Sequence, residues 1–75
     1  MEVTMRDFRT IIDYLKEYIA LHEGKTKVYD KDVAALLGIS QARFATIKKR
    51  NATPYAALLY FCKRNNVPCC ALFFD

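Results

Sequence analysis

Acidic side chains are missing from more than half of this chain. Positions 33 to 74 hold no Asp or Glu but six Lys and Arg, whereas the first 32 residues mix six basic with seven acidic ones. The formal net charge of +4 is therefore one-sided. A basic face that serves only solubility is normally interspersed with acids. A carboxylate-free stretch suits a polyanionic surface instead, where each Lys or Arg that neutralises a phosphate releases counterions.

Other scarcities narrow the class. Only two Gly and two Pro occur, and 53% of the residues are hydrophobic, which excludes a disordered chain and favours compact helices. With 75 residues there is room for one domain, a small core and a stability of several kcal/mol, but not for an elaborate active site. No apolar run approaches the roughly 20 residues that span a bilayer, so no membrane partner is expected. The start, Met-Glu-Val-Thr, has an acid where a signal peptide is basic, and a cytoplasmic location is expected. Three cysteines is an odd number, and Cys69 and Cys70 are adjacent, so reduced thiols are expected rather than a disulfide framework. Cys62 lies at helical spacing from Leu58 and Leu59 and reads as core, and packing is also expected for Cys69 and Cys70, ahead of a thiol sensor. His22 is the sole histidine, so no zinc spacing exists and neither metal nor cofactor is expected. Every carboxylate but Asp75 lies in the first 32 residues, and there is no Gly-rich phosphate loop or nucleophile-base arrangement. An enzyme is not expected.

What is present reads as five helices. Thr4 with Asp7 three residues on has the form of a capping box, and Phe8, Ile11, Ile12, Leu15 and Ile19 follow at helical spacing, predicting a first helix over about 5–21. Gly24 stops it, and Tyr29 is expected to pack back onto it. Asp30 reads as the cap of a short second helix over 31–37 that buries Val33, Ala34 and Leu37. Gly38 ends this helix, Ile39 makes the apolar contact that follows such a stop, and Ser40 caps a third helix over 41–50. Thr53 is expected to cap a fourth helix over 54–64, with Pro54 in its first position. Asn65-Asn66 ends that one, and a short fifth helix is predicted over 69–73.

Residues 30–50 thus carry two short helices joined by a tight turn, with a basic end: the pattern of a helix-turn-helix. Small Ala34 suits a close helix crossing, and Phe44 and Ile47 lock the second helix across the first. With Asp30 as the first position of the motif, Ala34 is fifth, Gly38 ninth, Phe44 fifteenth and Ile47 eighteenth, which resembles the helix-turn-helix of the lambda-repressor-like superfamily. The Gly-Ile-Ser-Gln start, the Lys48-Lys49-Arg50 end, Pro54, and the Asn-Asn-Val then Leu72 spacing extend the resemblance to the bacteriophage CI-type repressor DNA-binding domain, over roughly Lys27 to Phe74. The chain departs from that pattern at Ile47 and Ala71, where the family often has Trp, and at Pro68, where it has a Ser or Thr cap. The resemblance implies an all-α, compact five-helix lambda-repressor-like domain over 1–75. It also implies a sequence-specific double-stranded DNA-binding regulator of transcription, a repressor from a phage or bacterium that binds as a dimer.

On a wheel of about 100° per residue, Phe44 and Ile47 set the inner side of the third helix, opposite Ala42, Ala45, Thr46 and Lys49. Small residues there let the helix sink into a major groove about 12 Å wide. The candidate DNA-binding residues are Ser40, Gln41, Ala42, Arg43, Thr46, Lys48, Lys49 and Arg50. Gln41 has the amide for a bidentate contact to adenine, Arg43 can fork onto guanine or grip a phosphate, and Ala42 can meet a thymine methyl. Thr46 is expected at a base edge or phosphate. Lys48, Lys49 and Arg50 are expected as phosphate clamps, which position without reading sequence.

The alternative is a protein-interaction module, an antitoxin-like or adaptor domain on the same fold. Large apolar residues on the outer side of the third helix would favour it, and Ala, Thr, Gln and basic residues stand there instead. Phe73 or Phe74 is expected either to contribute to a homodimer or to pack on a C-terminal oligomerisation domain beyond Asp75, or else to close the core beside the first helix.

Overall fold

The structure, a computed structural model, describes residues 4–74. Five helices run in order: α1 (Phe8–Glu23), α2 (Asp30–Leu37), α3 (Gln41–Arg50), α4 (Tyr55–Asn65) and α5 (Cys69–Phe73). No strand occurs among the described residues, so the protein is all-α. α1 packs on α2 and α5, and α2 packs on α3 and α4.

α1 supplies the spine of the core. Phe8, Ile11, Ile12, Leu15 and Ile19 repeat every three or four residues, fall on one face, and are all buried. Burial of each such side chain is worth about 1.5–3 kcal/mol relative to leaving it in water. Val33, Ala34 and Leu37 of α2, Phe44 of α3, Leu58, Phe61 and Cys62 of α4, and Leu72 and Phe73 of α5 close around them. The Phe8 and Phe44 rings meet edge to face at 5.7 Å, which ties α3 directly to α1.

Several boundaries differ from those expected, each for a local reason. α1 begins at Phe8, three residues later than expected, and Thr4 is no cap. Asp7 is the cap: its Oδ1 accepts from the Thr10 backbone N–H at 2.9 Å and from the Thr10 hydroxyl at 2.7 Å. These bonds hold the Asp7 carboxyl below its ordinary pKa. The preceding residues pair with the end of α5 instead: Arg6 N–H donates to Phe73 O at 2.7 Å and Met5 bridges Phe74 in antiparallel fashion. α1 continues to Glu23, where Gly24 (φ 66°) ends it.

α2 is capped by Tyr29 and not by Asp30. Asp32 reaches back to accept the Tyr29 N–H at 2.9 Å, and Asp30 lies inside the first turn. The Tyr29 side chain, expected to pack back on α1, is 53% exposed, lines a groove with Lys16 of α1, and has the Lys31 ammonium 5.7 Å from its ring. Thr53 likewise makes no cap for α4: Pro54 holds that place with no side-chain bond, and the helix starts one residue later than expected. Asn51 and Asn66 end α3 and α4 in the left-handed conformation that Asn tolerates.

Cys62 is buried as expected, and burial pushes its thiol up to about 11. Cys69 and Cys70 are exposed, contrary to the expected packing. They occupy the first turn of a five-residue helix whose inward positions are taken by Leu72 and Phe73. No helix among the described residues is long and apolar enough to cross a membrane.

Candidate nucleic-acid interface

The approach from α2 to α3 is set by backbone geometry. Gly38 adopts φ 71° and ψ 28°, its N–H donates to Ala35 O at 3.1 Å, and the Ile39 N–H donates to Ala34 O at 3.0 Å. The last carbonyls of α2 are thereby satisfied while the chain reverses. Two residues later Ser40 Oγ accepts the Arg43 N–H at 3.1 Å and starts α3. At the far end the Asn51 N–H returns to Lys48 O, and its side-chain amide donates to Asp7 Oδ2 at 3.3 Å, linking the end of α3 to the start of α1.

α3 presents two faces. Phe44 is buried and Ile47 half-buried against the core. Ser40, Gln41, Ala42, Arg43, Ala45, Thr46, Lys49 and Arg50 are exposed, so seven of the eight candidate residues lie on the solvent side. The middle of that side holds only Ala42, Ala45 and Thr46. The Thr46 hydroxyl donates to Ala42 O at 3.1 Å, turned back on its own helix.

Lys48, the eighth, is engaged elsewhere. Its Nζ lies 2.7 Å from Asp30 Oδ2, and Lys16 Nζ lies 3.0 Å from Asp30 Oδ1. One carboxylate thus gathers ammonium groups from α1 and α3. The Lys48 contact above all, against the opposing effect of partial burial and with help from Lys16, holds the Asp30 carboxyl below its ordinary pKa. The pairs are more than a third exposed on the Lys48 and Asp30 side chains, so their value lies in orienting α3 more than in stability.

Sequence reasoning missed three participants. Lys16 and Asp30 hold α3 through Lys48, but the partners are 14 and 18 positions apart and share no periodic signal. Lys31 stands with them around an open groove of about 580 Å³ lined also by Val28 and Tyr29. Its charge was visible, but its place beside α3 depends on how α1 and α2 cross. Among the described residues no three His, Cys, Asp or Glu gather as metal ligands. No protein family, curated protein or solved structure matches the chain.

Proposed function

We propose that this protein is a sequence-specific double-stranded DNA-binding transcriptional regulator, a repressor of the lambda-repressor-like helix-turn-helix class. In this reading α2 and α3 are the motif and α3 enters the major groove. The observation that carries it is the outer side of α3: small residues along its middle, Gln41 and Arg43 in its first turn, and Lys49 and Arg50 at its end, all exposed. The acid-free stretch over 33–74 supports the same reading, because no carboxylate on α3, α4 or α5 repels a phosphate backbone.

The roles follow from reach. Gln41 and Arg43 read base edges, and Ala42 lies against a thymine methyl. Thr46 joins them by giving up its bond to Ala42 O. Lys49 and Arg50 hold phosphates with the Ser40 end of α3, and Lys31 adds a phosphate contact from α2. Lys48 acts first as a strut, clamped on Asp30, and contributes charge at shorter range than its neighbours. The test is selection of bound duplexes from a random library at two salt concentrations. A preferred sequence that survives the higher salt is expected. Recovery of random sequence alone would reduce the basic half to nonspecific attraction and refute the reading.

A further inference from the structure

The corner between α4 and α5 brings two thiols together. Asn66 adopts the left-handed conformation at φ 56°, and the backbone N–H groups of Asn66 and Val67 both return to Cys62 O, the second at 3.0 Å. The chain thus folds back over the last turn of α4. Val67 packs against the core, Pro68 leads into α5, and Cys69 opens that helix. The corner is pinned to α1 as well, because Asn65 Nδ2 donates to Phe61 O at 3.0 Å while its Oδ1 accepts the Tyr18 hydroxyl at 3.3 Å. As a result the Cys69 thiol, exposed to solvent, lies within hydrogen-bonding reach of the Cys62 thiol, which is 3% exposed.

We infer that Cys62 and Cys69 are a peroxide-oxidisable dithiol pair, which closes to a reversible disulfide that staples α4 to α5. The exposure of Cys69 at the start of a helix whose inward positions belong to Leu72 and Phe73 then has a use. The neighbouring Cys70 is the wrong partner for it. Consecutive Cα atoms stand about 3.8 Å apart, whereas a disulfide needs about 4.4–6.8 Å. It is Cys69 that meets Cys62, and Cys70, about 100° further round the helix, stays a free thiol.

The burial of one thiol and the exposure of the other set the order of events. Burial, and then the Cys69 thiol beside it, push Cys62 up to about 11, so at rest it keeps its proton and peroxide meets Cys69 first. The Cys69 thiolate attacks one oxygen of hydrogen peroxide: an S–O bond forms, the O–O bond breaks, and the hydroxide released is protonated to water. Cys69 is then a sulfenic acid. The Cys62 sulfur attacks the Cys69 sulfur: the S–S bond forms, the S–O bond breaks, and the departing hydroxide takes the Cys62 proton as water. Two thiols have lost two electrons and two protons, and one peroxide has become two waters. An added dithiol reverses the bridge by exchange. None of these steps involves α3, so the inference is independent of the DNA-binding reading.

The test treats the reduced 75-residue chain, kept dilute, with one molar equivalent of hydrogen peroxide, then unfolds it in iodoacetamide and weighs it. Loss of two hydrogens with a single adduct, on Cys70, is expected. Trypsin cuts after Lys63 and Arg64, so the peptides carrying Cys62 and Cys69 should stay joined until dithiothreitol is added. Tm should rise by about 5–15 °C on oxidation and return on reduction. Cys70→Ser keeps the bridge, Cys69→Ser abolishes it, and Cys62→Ala leaves Cys69 as a sulfenic acid that dimedone traps. If the change at buried Cys62 costs the helical circular dichroism, the two variants at exposed positions decide. A bridge through Cys70, sulfinic acid at Cys69 with no bridge, a mixture of pairings no different from that of the urea-unfolded chain, or a Tm that does not rise would each overturn the inference.

Discussion

Replacement of Gly38 isolates one physical term, because nothing lies within 4 Å of the place where a Cβ would stand. A Cβ added there meets no clash. Only the backbone matters: φ is +71°, a region that costs an L-residue about 1–2 kcal/mol and a β-branched one more. A side chain also restricts the unfolded chain, which returns about 0.4–1 kcal/mol. Gly38→Val is therefore expected to lose about 1–2 kcal/mol net, Gly38→Ala less, and Gly38→Asn least, since Asn51 and Asn66 already hold this conformation here. For a chain of this size 1 kcal/mol moves Tm by about 4–8 °C, so the Val variant should melt roughly 5–15 °C early by circular dichroism. The same three changes at Gly24 serve as a control. Gly24 has φ 66° and equally open surroundings but ends α1, away from α3. Both series should show the same order of stability, and only the Gly38 series should weaken DNA binding once both are measured well below their melting temperatures. A Val variant that melts with the Asn variant would refute the argument from backbone strain.

Three further outcomes are expected. Gln41→Ala weakens the best duplex by about 1–3 kcal/mol and random DNA little, whereas Lys49→Ala weakens both alike and lowers the salt slope by about one; equal losses for Gln41→Ala would remove it from the base-reading set. Asp30→Asn releases Lys48 and Lys16, so nonspecific affinity and the salt slope should rise; stability should fall by less than about 1 kcal/mol. Because the Asp30 pKa is depressed on folding, its contribution is present above the unfolded value and lost as pH falls through the folded one, so wild type and variant should converge in urea unfolding as the pH drops below the ordinary carboxylate range. Iodoacetamide at pH 8 should alkylate exposed Cys69 and Cys70 promptly but Cys62 only after unfolding, because Cys62 is buried and its thiol is pushed up to about 11; mass spectra with three adducts on the folded chain would contradict this.

Where a residue's role depends on neighbours a few positions away, it was legible in the sequence. The face Phe8–Ile11–Ile12–Leu15–Ile19, the stops at Gly24, Gly38 and Asn66, the Ser40 cap and the exposed side of α3 each follow from helical spacing or from the conformations that Gly and Asn allow. The partition of charge into a mixed first part and an acid-free remainder was equally plain. Contacts between distant segments decided the rest. Thr4 was a sound cap locally, but the pairing of Met5 and Arg6 with the end of α5 drew the chain off the helix and left Asp7 to start it. Asp30 was a sound cap locally too, until the packing of α1 and α3 on α2 brought two lysines to its carboxylate and Asp32 took the capping bond. The exposure of Cys69 and Cys70 and the gathering of Met5, Tyr55 and Phe74 on one surface have the same origin. Several side chains can satisfy the same local rule, and the long-range packing that competes for them selects which one does.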